Sequence, residues 1–441
     1  MPRRRAHTPL RVLINNRPCG RLEKHTSGAI SFQYDPDWLD WSSSFPISLS
    51  LPLQAAAWRG EAVASVFDNL LPDSFHVRRQ IAERTGAQGA DAYSLLEQIG
   101  RDCIGAMQLL PEGEPVDAPQ AIRGTSISDD EIERLLANLG RAPLGLDPER
   151  EFRISVAGAQ EKTALLRHQG QWMQPIGTTP TTHILKPQIG EIHTSSGLID
   201  LSDSVENEHY CLAVLEQFGL PVARTEITTF GARKVLVVER FDRIRRDDRL
   251  IRLPQEDFCQ ALSVPSSRKY QKDGGPDAVN TLKKLQESDD PLTDQARFLK
   301  AQIVFWLIGA TDGHAKNFSI FLRPGGRFAL TPFYDVLSAQ PAFDAKRIPH
   351  KHFTLAMSAG ASSHYKILDV HGRHFVETAK AAGLGPAVVR RVVEEVSEEA
   401  PKAADEALKA MPANFPGAIH ASIAKAVDTR LAKLKSAWDA L

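Results

Sequence analysis

The stretch GATDGHAKNFSIF, Gly309 to Phe321, together with LTPFYDV, Leu330 to Val336, decides the predicted fold. Asp312 stands five residues before Asn317, and Asp335 follows in a separate segment. A carboxylate can accept the proton of a hydroxyl group, and carboxylate and amide oxygens are ligands that Mg²⁺ binds. The three side chains therefore predict a site that handles a proton and a divalent cation together.

This order of side chains is typical of the catalytic loop of protein kinases, in which one Asp accepts the proton while the Asn and a later Asp hold metal. The D-x-x-x-x-N spacing alone also fits a turn whose Asp and Asn cap backbone groups. The flanking sequence favours the kinase interpretation. Ala296 to Ala310 is apolar nearly all round, which predicts a core helix. FSIFL and FALTPF predict two short strands about a Pro-Gly-Gly turn, which would bring Asp335 back beside the loop.

The bulk properties are those of an ordinary globular protein. The 441 residues are enough for two or three domains, and 53 Lys and Arg nearly balance 54 Asp and Glu. The overall charge therefore provides no attraction to nucleic acid or to an anionic membrane. The basic start MPRRRAHTPLR is not followed by an apolar stretch of signal-peptide length. We expect a cytoplasmic protein with no membrane partner.

The cysteines and histidines do not favour a metal centre. The cysteines are far apart and lack C-x-x-C spacing, which indicates neither a zinc site nor a disulfide framework. They are Cys19, Cys103, Cys211 and Cys259. The histidines that could be imagined as a cluster lie in polar sequence without acidic or Cys neighbours at ligand spacing. They are His350, His352, His371 and His374.

The N-terminal region predicts a small sheet followed by helices. Residues 10–34 alternate apolar and polar positions between turn residues, as in an antiparallel sheet. FDNLLPDSFHVRRQIAERTG predicts a helix with Pro72 and Asp73 near its start and Gly86 at its end. The Pro-rich run from Pro111 to Gly124 predicts a linker or an excursion from this region.

FRISVAGAQEKTALL, beginning at Phe152, predicts a strand, a turn and a second strand. Gly158 between Ala157 and Ala159 would allow backbone N–H groups to approach phosphate oxygens, although an ordinary hairpin turn remains an alternative. THILKP places Lys186 near the end of an apolar strand. In kinases such a lysine pairs with the nucleotide phosphates and a helix glutamate, whereas elsewhere it is a snorkelling edge residue.

A helix and a strand follow that lysine. SVENEHYCLAVLEQFGL, Ser204 to Leu220, has apolar residues at helical spacing and a glycine stop at Gly219. Glu208 is the candidate partner of the strand lysine, while Glu206 and Glu208 could equally be solvated groups at the helix start. KVLVVERFDR predicts an apolar strand that runs into Glu239, where a hinge between kinase lobes would expose backbone groups to adenine.

The C-terminal sequence is predicted to be helical. VVRRVVEEV, Val388 to Val396, and the final IAKAVDTRLAKLKSAWDAL both show amphipathic spacing. Together the patterns predict an α+β protein with a bilobal protein-kinase-like fold, an additional N-terminal α/β subdomain and a mainly helical C-terminal lobe. We expect the N-terminal subdomain at residues 1–150, the kinase N-lobe core with phosphate-binding loop and hinge at 151–245, and the helical C-lobe with the catalytic loop at 246–441.

Several long motifs resemble the HipA family of bacterial serine/threonine kinase toxins. They are FRISVAGAQEKTALL, THILKP, ENEHYCL, VERFDR, RLPQEDFCQAL, PSSRKYQKDGGP, GATDGHAKNFS and LTPFYDV, with FDNLLPDS in the N-terminal region. The resemblance spans about residue 10 to at least residue 340. It implies an ATP-dependent protein kinase that uses Mg²⁺.

The resemblance also implies roles for individual residues. Asp312 matches the catalytic base, Asn317 and Asp335 match the magnesium ligands, and Lys186 matches the phosphate-pairing lysine. The other implied ATP contacts are Ser155, Val156, Ala157, Gly158 and Ala159 in the phosphate loop, Glu239 and Phe241 at the hinge, and His314 and Tyr334. Ser155 further matches the serine that these kinases autophosphorylate, which ejects the loop and switches the enzyme off.

The family resemblance implies partners and a cellular function as well. The toxin of this family binds a small helix-turn-helix antitoxin in a heteromeric complex, reaches operator DNA mainly through it and co-represses the operon. The implied substrate is an aminoacyl-tRNA synthetase, glutamyl-tRNA synthetase in the type member, whose inactivation causes growth arrest and persistence. One alternative is a small-molecule or lipid kinase, since phosphoinositide-type kinases share this arrangement of Asp, Asn and Asp side chains. Another is a non-catalytic repressor subunit, although the sequence has no helix-turn-helix pattern and no basic excess.

Overall fold

The computed structural model describes residues 7–116, 122–146, 154–158, 160–194, 197–247 and 249–441. The chain divides into two compact units. The first comprises Met1–Pro187, Thr228–Ser267 and Ile320–Arg327, and the second comprises Gln188–Ile227, Arg268–Ser319 and Phe328–Leu441. The division into ranges 1–150, 151–245 and 246–441 stays a prediction.

Both strands and helices are present along the chain. The strands are β1 (Leu10–Ile14), β2 (Arg17–Lys24), β3 (Ile30–Tyr34), β4 (Trp58–Arg59), β5 (Met107–Pro111), β6 (Gly124–Ser126), β7 (Thr163–His168), β8 (Gln171–Pro175), β9 (His183–Pro187), β10 (Gly190–Thr194), β11 (Gly197–Leu201), β12 (Thr225–Phe230), β13 (Arg233–Glu239), β14 (Arg243–Arg246), β15 (Arg249–Arg252), β16 (Gln255–Asp257), β17 (Ser319–Arg323), β18 (Arg327–Leu330), β19 (Thr354–Ala359) and β20 (His364–Lys366). The helices are α1 (Pro36–Leu39), α2 (Glu61–Asp68), α3 (Phe75–Thr85), α4 (Ala92–Ile99), α5 (Asp129–Ala137), α6 (Ser204–Gln217), α7 (Phe258–Ala261), α8 (Ala278–Leu285), α9 (Pro291–Ile308), α10 (Gln340–Asp344), α11 (Gly372–Ala381), α12 (Pro386–Lys409) and α13 (Gly417–Leu434).

The first unit begins with an antiparallel sheet in the strand order β4-β3-β2-β1-β5. Asn15 and Asn16 connect β1 to β2 with φ angles of 50° and 65°, a left-handed backbone that asparagine tolerates in tight hairpins. A Cβ atom at Gly20 would lie 2.4 Å from the carbonyl oxygen of Gln33, so this close strand contact requires glycine. The small sheet predicted for residues 10–34 is confirmed.

Helix α3 begins later than the sequence suggested. Ser74 is its N-cap and accepts a hydrogen bond from the N–H of Val77, and Gly86 ends it with a φ of 72°. Pro72 and Asp73 therefore precede the helix, while the predicted glycine stop is confirmed. Because the residues just before Ser74 lie outside the helix, their backbone groups can form hydrogen bonds with another segment of the unit.

A second sheet in the first unit contains β13, β9, β7, β8 and β6 side by side in that order. Strands β9 and β13 are antiparallel, with Lys186 opposite Leu236. The strand predicted before Gly158 is not formed by residues 154–157. Instead, Gly158 forms a parallel bridge to Pro72, and its carbonyl oxygen accepts a 3.2 Å hydrogen bond from the N–H of Asp73. The N-terminal segment thus satisfies backbone groups that a hairpin partner would otherwise satisfy.

A buried ion cluster lies within the first unit. The Asp102 carboxylate is 2.9 Å from both Arg243 and Arg252 and 3.4 Å from Arg240. Asp242 accepts from Arg240 at 2.8 Å and from Arg243 at 2.9 Å. None of these side chains is more than 5% exposed. Burial acts to raise the pKa of Asp102, but the three guanidinium groups lower it well below its usual range.

The second unit is built around helix α9, which contacts α6, α8, α12 and α13. Pro291 occupies its first turn, the Asp290 side chain caps it by accepting from Thr293 N–H, and Gly309 ends it with a φ of 73°. Its residues are buried on nearly all sides, which confirms the predicted core helix. Arg430 on α13 donates a 2.7 Å hydrogen bond to the Leu307 carbonyl in the last turn. A cation at this end complements the helix dipole.

Two further sequence expectations concern the segments that follow α9. Strands β17 and β18 are separated by a turn at Pro324–Gly326, as the Pro-Gly-Gly pattern predicted. Helices α12 and α13 confirm the helical C-terminal sequence. Among the described residues, no helix has the length and apolar character needed to span a membrane.

Replacing Asp102 by Asn should destabilise the protein, because three buried guanidinium groups would then face one carboxylate. We expect the free energy of unfolding to fall by about 3–5 kcal/mol at pH 7. Glu112→Gln is the control, because its ion pair with Arg21 is exposed and should contribute less than about 1 kcal/mol. Denaturant titration of both variants measures the difference. Equal losses would contradict a special contribution from the buried cluster.

The difference in stability between the wild-type chain and Asp102→Asn should depend on pH. Because the folded-state pKa of Asp102 is lowered, its stabilising contribution is complete above the unfolded-state pKa of about 4 and is lost as the pH falls below it. The wild-type chain should therefore lose more stability than Asp102→Asn on acidification below about pH 5.

Candidate active site

The predicted catalytic loop follows α9 directly in the second unit. The His314 N–H donates to the Asp312 carbonyl at 2.7 Å, and the Asn317 N–H donates to the His314 carbonyl at 2.9 Å. The Asn317 side-chain amide also donates to the Asp312 carbonyl at 2.8 Å. The loop is therefore closed by its own hydrogen bonds. His314 and Asn317 are buried, whereas the Asp312 side chain is 55% exposed. The carboxylate is therefore accessible from solvent.

The two predicted metal ligands, Asn317 and Asp335, carry oxygen donors of the type that Mg²⁺ binds. Because the Asn317 amide nitrogen donates to Asp312, its carboxamide oxygen is the atom that a cation would bind. Asp335 has a φ of 59°, a left-handed conformation that Asp and Asn tolerate better than most residues other than glycine. Two residues earlier, the Phe333 N–H donates to the Pro221 carbonyl at 2.8 Å, which fixes the segment that leads to Asp335.

Other described residues offer no larger metal site. In the part of the chain that the structure describes, no group of three or more His, Cys, Asp or Glu side chains could hold a metal ion. Mg²⁺ commonly binds one or two protein oxygens together with substrate phosphates and water. Asn317 and Asp335 fit that ligand set.

Tyr334 lies against the catalytic loop. Its hydroxyl donates to the Lys316 carbonyl at 2.9 Å and forms a 2.5 Å hydrogen bond with the Ser319 hydroxyl. The second unit therefore brings Tyr334 together with the loop that carries His314 and Asn317. These contacts explain how a side chain from the segment after β18 is held beside the loop.

The predicted phosphate loop lies in the first unit and contacts its N-terminal segment. Ser155 is fully buried, its hydroxyl donates to the Leu70 carbonyl at 2.6 Å, and its N–H donates to the Asp102 carbonyl at 2.9 Å. Val156 is also buried. Gly158 has a φ of 111°, which only glycine adopts readily. Of the residues predicted here, Ala159 lies outside the described residues.

Lys162 is a loop residue that the sequence reasoning missed. Its side chain is buried, and its ammonium group donates to the Ala157 carbonyl at 2.8 Å. A Cβ atom at Gly158 would be 2.5 Å from this nitrogen. A lysine four residues after the turn glycine was the available signal. A cavity of about 180 Å³ adjoins the loop and is lined in part by Pro72, Gly158 and Lys162.

The other predicted site residues lie on β9 and at or just after the end of β13 in the first unit, and on α6 in the second unit. Lys186 is buried on β9, and Glu239 is exposed at the end of β13. The Phe241 ring meets Phe321 edge-on, with ring centroids 5.8 Å apart. Glu208 is buried on α6 in the second unit, so its ion pair with Lys186 stays a prediction.

Comparison with known proteins gives concordant matches along the chain. Residues 10–110 match the family model of the HipA N-terminal domain, and residues 154–404 match that of the HipA-like C-terminal domain. The protein Y4mE of Sinorhizobium fredii is 34% identical over 408 residues, which cover 91% of this chain and 92% of Y4mE. The serine/threonine-protein kinase toxin HipA of Shewanella oneidensis is 28% identical over 326 residues, 71% of each chain.

A solved structure supports the same fold. It is the toxin–antitoxin complex of HipA, HipB and operator DNA from Shewanella oneidensis MR-1, which matches with a TM-score of 0.79 and 21% identity. The match covers 98% of this chain and 99% of the other. The predicted α+β fold of the kinase-like type is confirmed.

Gly158→Ala should weaken ATP binding through a combined steric and conformational effect. The new methyl group would meet Lys162, and the left-handed backbone would cost about 1–2 kcal/mol, which corresponds to roughly tenfold in affinity. Calorimetry with Mg²⁺ and a non-hydrolysable ATP analogue measures this. Gly170→Ala is the matched control, because Gly170 has a φ of 81° in the same unit but no atom within 4 Å of the new methyl group. Equal affinities of the two variants would contradict a role for the loop glycine.

Proposed function

The chain belongs to the HipA family, and we propose that it is an ATP-dependent serine/threonine protein kinase that acts as the toxin of a toxin–antitoxin pair. The observation that carries the proposal is the closed catalytic loop. It presents an exposed Asp312 carboxylate and buries Asn317 and His314 beside it. Exposure of one acid on a rigid loop suits a group that must meet a protein hydroxyl.

The proposed reaction is in-line transfer of the γ-phosphoryl group of ATP to a serine or threonine hydroxyl. A bond forms between the hydroxyl oxygen and phosphorus as the bond to ADP breaks, and Asp312 accepts the hydroxyl proton. Asn317 and Asp335 would hold Mg²⁺, which neutralises phosphate oxygens when bound. Lys186 adds a further positive charge at the phosphates, with Glu208 as its proposed ion-pair partner.

Different residues are proposed to contact different parts of ATP. Backbone N–H groups of the loop after Ser155, from Val156 to Gly158, face the phosphates in this proposal, because a glycine turn leaves them unobstructed. The segment from Glu239 to Phe241 reads adenine through hinge backbone groups. His314 and Tyr334 line the nucleotide beside the catalytic loop. Such positioning supplies much of the catalytic effect in phosphoryl transfer.

We extend the proposal to partners and substrate. The Shewanella neighbour is a HipA–HipB complex with operator DNA, which supports a helix-turn-helix antitoxin as the partner of this chain. A net charge of −1 suits DNA contact that is made mainly through that antitoxin in a co-repressing complex. The proposed protein substrate is an aminoacyl-tRNA synthetase, with glutamyl-tRNA synthetase the first to test. Its phosphorylation would cause growth arrest and persistence.

Asp312→Asn should abolish phosphoryl transfer and leave ATP binding nearly unchanged, because Asp312 acts on the hydroxyl proton. Asp335→Ala should weaken magnesium-ATP binding as well. Calorimetry measures binding, and γ-labelled ATP added with the purified chain to a bacterial lysate measures transfer. The wild-type chain should label a protein. Label found only in small metabolites would favour a small-molecule kinase, and equal loss of binding in the two variants would contradict the assigned roles.

We further propose that Ser155 is autophosphorylated and that its phosphate switches the enzyme off. Its hydroxyl is fully buried and donates to the Leu70 carbonyl, so the loop must leave this position before Ser155 can reach any ATP. A phosphoryl group adds between one and two negative charges and has no hydrogen to donate to that carbonyl when ionised. The modified loop should therefore stay displaced and bind ATP weakly. Transfer between two molecules is the expected route.

Mass spectrometry of protein made in bacteria should find partial phosphate on Ser155 and none in Asp312→Asn. A mixed sample separates the routes: active Ser155→Ala chain, which lacks the acceptor, should phosphorylate Ser155 of the Asp312→Asn chain. An unmodified Ser155 in active protein incubated with magnesium-ATP would disprove the switch.

A further inference from the structure

The proposed proton acceptor has a hydrogen-bond partner outside its own loop. The Tyr270 hydroxyl donates to Oδ1 of Asp312 at 2.6 Å, within the second unit. This distance lies in the range of about 2.5–2.7 Å that is typical of a hydroxyl bound to an ionised carboxylate. Tyr270 stands 42 residues earlier in the chain, in a segment separate from the catalytic loop.

The backbone around Tyr270 is fixed by its own turn. The carbonyl of Tyr270 accepts from the N–H groups of both Asp273 and Gly275 at 3.0 Å. A Cβ atom at Gly275 would lie 2.0 Å from the Arg268 carbonyl oxygen, so the turn can close this tightly only with glycine. The DGG sequence after Tyr270 therefore defines the backbone from which the phenol projects.

Neighbouring residues attach this turn to two other parts of the second unit. The Gln271 side chain donates to the Ser358 hydroxyl at 2.9 Å and accepts from the Ser358 N–H at 2.7 Å. On the other side, the Ala315 N–H donates to the Lys269 carbonyl at 3.3 Å. Tyr270 is therefore held between strand β19 and the catalytic loop before any substrate binds.

The two carboxylate oxygens of Asp312 differ as a result. Oδ1 accepts the phenol hydrogen bond. Oδ2 lies 3.9 Å from Nε2 of His314, too far for a hydrogen bond, and no described residue donates to it. The Tyr270 ring also meets the His314 ring edge-on, with centroids 4.8 Å apart, which limits how the phenol can turn.

We propose that Tyr270 is the positioning residue for proton transfer: its phenol holds Oδ1 of Asp312 so that Oδ2 faces the substrate hydroxyl. The inference rests on the proposed function of Asp312 as proton acceptor. In the transfer step the substrate O–H bond breaks and its proton passes to Oδ2, while the O–P bond to the substrate forms and the P–O bond to ADP breaks. Tyr270 keeps its own proton throughout.

Tyr270→Phe tests the inference, because it removes one oxygen atom and keeps the ring that packs on His314. We expect kcat to fall by about ten- to a hundredfold, the effect of losing a hydrogen bond to a charged group. The KM for ATP, the Kd for magnesium-ATP and the Tm should stay at wild-type values. Rates are measured with γ-labelled ATP and bacterial lysate protein as acceptor. Tyr365→Phe, on β20 of the same unit, is the matched control and should keep the wild-type rate.

The outcomes separate this inference from the proposed function. A wild-type rate in Tyr270→Phe, with Asp312→Asn inactive, would overturn the positioning role and leave the kinase proposal standing. A faster Tyr270→Phe chain would also overturn it, because the phenol would then occupy the place of the substrate hydroxyl. A joint loss of Tm and ATP affinity would show a structural role instead. Transfer by Asp312→Asn would remove the proposed function and this inference together.

Discussion

The burial of the Asp102 carboxylate is the constraint on which the first unit depends. A charge that is removed from water must be paired, and Asp102 is paired with three guanidinium groups, among them Arg240 at the predicted hinge. Its carboxylate also accepts from the N–H and hydroxyl of Thr181, shortly before the strand that carries Lys186. Its backbone carbonyl accepts from Ser155. Asp102 therefore contacts the predicted hinge, the segment just before the strand that carries Lys186, and the predicted phosphate loop.

The shape of the predicted phosphate loop depends on hydrogen bonds to segments that are distant in the sequence. Residues 154–157 form no strand; Ser155 donates hydrogen bonds to the carbonyls of Leu70 and Asp102, and the Gly158 carbonyl accepts one from the Asp73 N–H. A loop that is held by hydrogen bonds to other segments can be ordered and can still open locally without global unfolding. The N-terminal region therefore supplies contacts that hold this loop in place.

The second unit holds the predicted catalytic loop at the end of a buried helix. Helix α9 is buried on nearly all sides, and the Arg430 hydrogen bond to the Leu307 carbonyl satisfies one of the backbone groups at its last turn. The loop therefore leaves a fixed helix end. Its buried residues are held by backbone hydrogen bonds, and Tyr270 holds the exposed carboxylate of Asp312. The Asp312 side chain is thus both exposed and held in one orientation.

Local chemistry allowed much of the fold and part of the site to be predicted from the sequence. The apolar run from Ala296 to Ala310 predicted the core helix α9, and the order of Asp312, Asn317 and Asp335 is typical of a kinase catalytic loop. Such signals are readable because capping, turn conformation and short spacing depend on residues close in the chain. For the same reason the apolar strands around Lys186 and before Glu239 were found.

Only the tertiary structure decided which distant groups complete the site. Tyr270 donates to Asp312 from 42 residues away, and the phosphate loop pairs with Pro72 instead of forming the predicted hairpin. The ammonium group of Lys162 turns back onto the loop carbonyl of Ala157. These contacts depend on how separate segments pack and on which buried polar groups still require partners, and neither is written in a local pattern. The sequence by itself determined the elements and the chemical groups, and packing determined their partners.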